Sequence, residues 1–210
     1  MKLYKEIREL SDSYEDQLRK KIDGRLLEMD ADDNSHYLLY AVLGISDDEG
    51  KKIDLYQNKG RFLYKYAGAF LESAAKICFS YKYPDSGMVK IPNIMGAKPK
   101  TFEIDCLVEN IDGIEIKWRD ATTDGDHITK EHTRIKVIAA AGYRPIRVMF
   151  YYPNRAQAIR IQKTLETLYK GVNGEYYFGE GAWNFIKDYT GIDLKKIIVR
   201  IAEEKNHAAK

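Results

Sequence analysis

Residues Thr101 to Asp120 read TFEIDCLVENIDGIEIKWRD, and this stretch decides the fold. Two runs rich in β-branched and aromatic residues, TFEIDCLVE and IEIKWRD, flank a turn signal at Asn110-Ile111-Asp112-Gly113. In the second run Ile114, Ile116 and Trp118 alternate with Glu115, Lys117 and Arg119. In the first, Phe102, Ile104, Cys106 and Val108 alternate with Glu103, Asp105, Leu107 and Glu109. A period of two sends the two sets to opposite faces of a strand, so the stretch predicts a β-hairpin. A solvated charged face is the ordinary meaning of such alternation.

The order Asp105, Glu115, Lys117 admits a second meaning. Two carboxylates on adjacent strands repel unless a hard cation such as Mg²⁺ lies between them. A lysine two residues beyond the second acid shares its face, where its ammonium can act on a water or a phosphate oxygen. Those are the parts of metal-assisted phosphodiester hydrolysis. Turn length decides whether they meet. A two-residue loop at Asp112-Gly113 puts Asp105 and Glu115 on opposite faces. A three-residue loop around the same dipeptide leaves them roughly 13 Å apart. A five-residue loop, Glu109 to Gly113, sets Asp105 opposite Lys117, and this register, or a bend that achieves the same approach, is the one expected.

The ID and EIK segments, with a helix before them and a helix and strand after, resemble the PD-(D/E)XK core of type II restriction endonucleases. The following KWRDATTDGDHITKEHTR also resembles restriction enzymes, with the ApaLI-like group among the likenesses. The resemblance spans about Gly60 to Tyr152. Ile104 stands where many members carry proline. The resemblance implies a mixed α/β sheet flanked by helices, a Mg²⁺ cofactor and site-specific hydrolysis of double-stranded DNA leaving 5′-phosphate ends. It implies that Asp105, Glu115 and the carbonyl of Ile116 hold the metal while Lys117 acts on the water. It also offers Glu72, on the preceding helix, as an additional acid. A two-fold DNA site implies a homodimer. The rival readings are a structure-specific nuclease of the same core, a non-catalytic DNA-binding module and a purely structural protein.

The chain has 210 residues, enough for one sizeable core, with 44% hydrophobic and 31% charged residues. The net charge of +2 is uninformative, but its distribution is not. Between Arg25 and Gly60 eight acids face four bases, whereas between Lys117 and Lys170 eleven bases face five acids. Bases gathered after the hairpin suit a phosphate backbone. Lys98, Lys100, Arg119, His127, Lys130, His132, Arg134, Asn154 and Arg155 are the candidate DNA contacts. Asn154 has a competing use as a helix cap. His127 and His132 are five apart, the wrong spacing for a metal pair on one helix face.

Cys78 and Cys106 fall on apolar faces, which suits buried thiols in a reducing cytoplasm. No membrane span or signal peptide is evident. Two regions are expected, an N-terminal helical segment (1–59) for dimerisation or DNA clamping and a nuclease core (60–210). Helices are predicted over Tyr4–Met29, interrupted near Gly24, and over Gly60–Phe79, Thr129–Ala141, Ala156–Tyr169, Trp183–Tyr189 and Leu194–Ala202. Acidic segments at 30–35 and 46–52 are read as turns. Tyr83-Pro84-Asp85-Ser86-Gly87 is also read as a turn, because no E-x-K follows its Pro-Asp pair.

Overall fold

The structure, a computed structural model, describes residues 2–96, 98–119 and 125–208, without the side chains of 125–127. It forms two compact units, Arg8–Phe70 and Met1–Ile7 with Leu71–Lys210. The boundary expected after residue 59 lies inside a helix, α3 (Asp47–Lys82), and the units divide after Phe70.

The larger unit is built on a five-stranded mixed sheet, β1 (Gly87–Pro92), β2 (Thr101–Val108), β3 (Asp112–Lys117), β4 (Arg144–Met149) and β5 (Glu175–Phe178), in that spatial order. The strands β1, β2 and β3 pair antiparallel, whereas β3, β4 and β5 pair parallel. This is the expected α/β architecture, a restriction-endonuclease-like mixed sheet flanked by helices. Pro92 ends the edge strand β1, where a missing N–H breaks no ladder. The strand β5 was not anticipated. Its four residues lie in a glycine- and tyrosine-rich stretch, too short for a period to show.

Helix α4 (Gly125–Ala140) makes the crossover from β3 to β4. Together with α5 (Ala156–Lys170) it covers one face of the sheet, through Ile135, Ile161, Leu165 and Tyr169 against Tyr176. The other face carries α6 (Glu180–Thr190), whose Phe185 stacks on Tyr177 and, with Tyr189, meets Phe79 of α3. Helix α7 (Leu194–Ala208) holds the start of α1 (Lys2–Asp30), with Tyr4 donating to Glu204 at 2.6 Å and Arg200 over the Tyr4 ring. Helix α7 runs past the predicted end at Ala202 as far as Ala208.

In the smaller unit α1 and α3 pack antiparallel partners through Tyr14 against Tyr66 and Phe70, and α2 (Tyr37–Val42) is tied by Tyr40 donating to Asp54 at 3.0 Å. Leu38, Leu39, Val42 and Leu43 are each at least 67% exposed. Gly24 does not interrupt α1. The acidic segment read as a turn at 46–52 is the first turn of α3, where Asp47, Asp48 and Glu49 face the positive end of the helix dipole.

The hairpin turns earlier than expected. Ile111 N–H bonds to Val108 C=O at 2.9 Å, Glu109 and Asn110 both have positive φ, and Val108 pairs with Asp112. The loop is therefore three residues, Glu109 to Ile111, and not the five from Glu109 to Gly113. Asp112 and Gly113 are strand residues with other duties. Asp112 is buried and accepts two bonds from Arg144, at 2.7 and 2.9 Å, and one from Tyr189 at 2.7 Å. A Cβ on Gly113 would stand 3.1 Å from Ile138 Cγ2, so glycine lets α4 close on the sheet. The dipeptide read as a turn cue serves packing and a buried ion pair.

Candidate active site

The earlier turn shifts the register by two residues, which preserves facing. The described β2–β3 ladder runs from Val108↔Asp112 to Cys106↔Ile114. Beyond it the Asp105 carboxylate takes up the Ile116 N–H, with Oδ2 accepting at 2.8 Å. Lys117 Nζ lies 2.6 Å from Glu115 Oε1 and 3.5 Å from Asp105 Oδ2. Asp105, Glu115 and Lys117 thus meet, although by a different turn from the one anticipated. β3 can carry two charges inward because α4 roofs that face of the sheet, leaving Glu115 1% exposed.

Their electrostatics diverge. Burial pushes the Asp105 carboxyl up to about 6, with the neighbouring Glu115 and Glu72 charges adding to the rise and Lys117 opposing it. Burial also disfavours charge on Glu115, but Lys117 and then Arg134 outweigh it and hold that carboxyl below the usual range. Lys117 is desolvated too, yet Glu115 and Asp105 keep it charged with a raised pKa. Glu72 pairs with Lys76 at 2.6 Å.

Behind the trio runs a chain of buried charges that the sequence reading missed. Arg134 bonds Glu115 Oε1 and lies 3.3 Å from Glu131, and Arg147 donates to Glu131 at 2.9 Å. Glu131 and Arg147 are each 2% exposed. A visible sign existed: Arg147 is the single charge in the apolar run PIRVMF, and a charge there demands a partner.

Arg134, expected at DNA, is instead turned to the two glutamates. Helix α4 starts at Gly125 rather than Thr129, so Lys130, His132 and Arg134 stand beyond its first turn. Lys130 is exposed and His132 half-buried, while the His127 side chain lies outside the described residues. Lys98, Lys100, Arg119, Asn154 and Arg155 are exposed. Asn154 is not the cap of α5. Arg155 holds that position, and no side chain makes a capping bond there. Asp85 sits in a turn closed by Ser86 N–H to Tyr83 C=O at 2.9 Å, as read. Cys78 and Cys106 are buried and unpaired.

No group of three or more His, Cys, Asp or Glu among the described residues could hold a metal ion. Mg²⁺ does not require one, since it is commonly held by one or two carboxylates with waters and substrate phosphates. The donors suit a hard cation: two carboxylates meet here, and Glu115 Oε2 is buried with no hydrogen-bond partner among the described residues.

The profile of the ApaLI-like restriction endonuclease family matches residues 1–203. The chain belongs to this family. Comparison with curated proteins and with solved structures returned no match. An ApaLI-like restriction endonuclease is a nuclease whose substrate is DNA, in a class that generally uses a divalent metal. No described helix is long and apolar enough to cross a membrane. The family match extends through the N-terminal helices as well as the sheet, a wider span than the motif-bearing core suggested.

Proposed function

We propose that this ApaLI-like enzyme is a type II restriction endonuclease that hydrolyses double-stranded DNA at a specific site, with Mg²⁺, leaving 5′-phosphate ends. The convergence of Lys117 on both Asp105 and Glu115 carries the proposal. Asp105 and Glu115, with the main-chain oxygen of Ile116, would hold the cation. When bound, Mg²⁺ supplies Lewis-acid activation of water and neutralises charge at the scissile phosphate. Lys117, held as an ammonium, orients the attacking water and offsets the charge that develops on the phosphoryl oxygens. Ile116 N–H fixes the Asp105 rotamer, and Arg134 keeps Glu115 ionised. Glu72 remains an auxiliary acid whose charge is felt at Asp105. Lys98, Lys100, Arg119, Lys130, His132 and Arg155 are the proposed DNA contacts, together with Asn154 and His127.

A homodimer belongs to the same proposal, and the exposed apolar side chains of and beside α2 support the smaller unit as its contact surface. Digestion of plasmid DNA with the purified protein and Mg²⁺, followed by sequencing of the ends, tests both parts. Discrete bands with symmetric cuts are expected. Cutting confined to branched DNA would instead favour a structure-specific nuclease.

The pH dependence has a defined sign. Without a cation the folded chain keeps a proton on Asp105 up to about pH 6, whereas an ordinary aspartate releases it near 3.8. Its contribution to stability is therefore complete below 3.8 and lost as pH rises through 6. Cation binding needs the carboxylate, so Mg²⁺ affinity falls about tenfold per pH unit below 6 and levels off above it. Melting temperatures in EDTA and in Mg²⁺ should diverge progressively between pH 5 and 7. An equal Mg²⁺ increment at both ends of that range would contradict Asp105 as a ligand.

A further inference from the structure

Beyond the ends of β3 and β4 the larger unit opens a cavity of about 390 Å³, lined by Trp118, Arg119, Tyr151, Tyr152, Pro153 and Asn154. That volume lies in the range of small-molecule sites, roughly 300–1,000 Å³. Its walls are anchored to the candidate catalytic strand. Phe150 N–H bonds to Lys117 C=O at 3.0 Å, and Tyr151 N–H to Trp118 C=O at 2.9 Å, so the two segments stay registered past the formal strand ends. The rings are braced from behind, with Tyr151 edge-on to Trp183 and Tyr152 packed on Phe178 at 4.5 Å between centroids. Tyr151 is nevertheless half exposed toward solvent.

We propose that this cavity receives a single nucleobase extruded from the duplex next to the cleaved phosphate. The inference rests on the nuclease reading and names how that site takes hold of its substrate. Three aromatic rings line the cavity, Trp118 with the Arg119 guanidinium over it at 5.6 Å, and a base in a duplex has no face free for them, because both of its faces are stacked on neighbours. Only an unstacked base can use them. At the same mouth Asn154 presents a paired donor and acceptor and Arg119 presents donors, the groups that read a base edge. Placement supports the assignment: Trp118 and Arg119 directly follow Lys117, so a base held here belongs to a nucleotide beside the reacting phosphate.

The extruded base must first lose its partner and its stacking, and a mismatch pays that cost in advance. The test is therefore a scan. The cleavage site is first located by plasmid digestion and end sequencing with the wild-type protein. Binding is then measured in Ca²⁺ to duplexes of that site carrying one mismatch or one abasic sugar, moved a step at a time. One position is expected where a mismatch tightens binding about tenfold or more, and where an abasic sugar removes the contribution of the Tyr151 ring. Tyr151→Ala should weaken binding of the paired duplex about tenfold and Tyr151→Phe should retain it, with circular dichroism confirming that both fold. Normal cleavage by the wild-type protein with no mismatch-tightened position would overturn the extruded base and leave the nuclease reading standing. Failure of the wild-type protein to cut any DNA would overturn both.

Discussion

Replacing Lys117 with alanine lowers the rate of DNA cleavage by at least about 10²-fold, the lower range for removing one charged donor aimed at the reacting oxygens. Nζ sits 2.6 Å from Glu115 and 3.5 Å from Asp105, so the variant loses an ammonium that touches both acids. Duplex affinity should change far less, because the exposed bases that would meet phosphates are elsewhere on the chain. Lys117→Arg should not restore the rate: a planar guanidinium cannot occupy the place of a compact ammonium between two carboxylates. Initial rates of plasmid nicking in excess Mg²⁺, set beside equilibrium binding in Ca²⁺, make the measurement. A Lys117→Ala protein that cuts within tenfold of wild type would remove Lys117 from the chemistry. If neither protein cuts while both bind duplex, a DNA-binding module without catalysis is the better description.

Arg147→Ala should destabilise the fold by about 3–5 kcal/mol, the usual cost of stripping one partner from a buried ion pair. Arg147 is 2% exposed, and its loss leaves Glu131, among the described residues, with the 3.3 Å contact to Arg134. The cost comes from a carboxylate left desolvated rather than from the bond itself. It follows that Arg147→Met combined with Glu131→Gln recovers most of the stability, since no uncompensated charge remains. Urea unfolding of the two variants checks this. A single variant within about 1 kcal/mol of wild type would mean that water reaches the pair.

Much of the fold follows from strand and helix periods. The β2–β3 hairpin and helix α5 lie where the residues put them, and α4 does too apart from its earlier start at Gly125. Local chemistry was read less well, for reasons that can be named. Asp112-Gly113 has the composition of a turn, but Asp112 answers Arg144 across the sheet and Gly113 makes room for Ile138. Such non-local needs leave no mark on the dipeptide. Glu109 and Asn110 take up the positive φ instead, and the glutamate gave no warning of it. The acids at 47–49 suit a turn and a helix start equally well, and only the 36-residue helix that follows decides between them.

Facing was the other difficulty. An alternating charged set reads the same whether water or a helix covers it. In β3 the cover is α4, and this turned Arg134 from an expected DNA contact into a partner of Glu115. The order Asp105, Glu115, Lys117 points to a shared site only together with the family resemblance, because the pattern alone also arises by chance in charged chains. Arg147 stood out as the single charge in an apolar strand, but its partner Glu131 did not, since the two are brought close only by the crossover.

The sequence Glu115, Arg134, Glu131, Arg147 alternates in sign and sums to zero. A substitution at any member therefore leaves a net charge that the next must answer, and the disturbance reaches Glu115 even from Arg147, its register partner on β4. An alanine survey of arginines, scored by loss of cutting, would flag Arg134 and Arg147 alongside true backbone contacts. The salt dependence of binding separates the classes: a phosphate-contacting arginine lowers the slope when removed, while a member of the interior chain leaves it as it was.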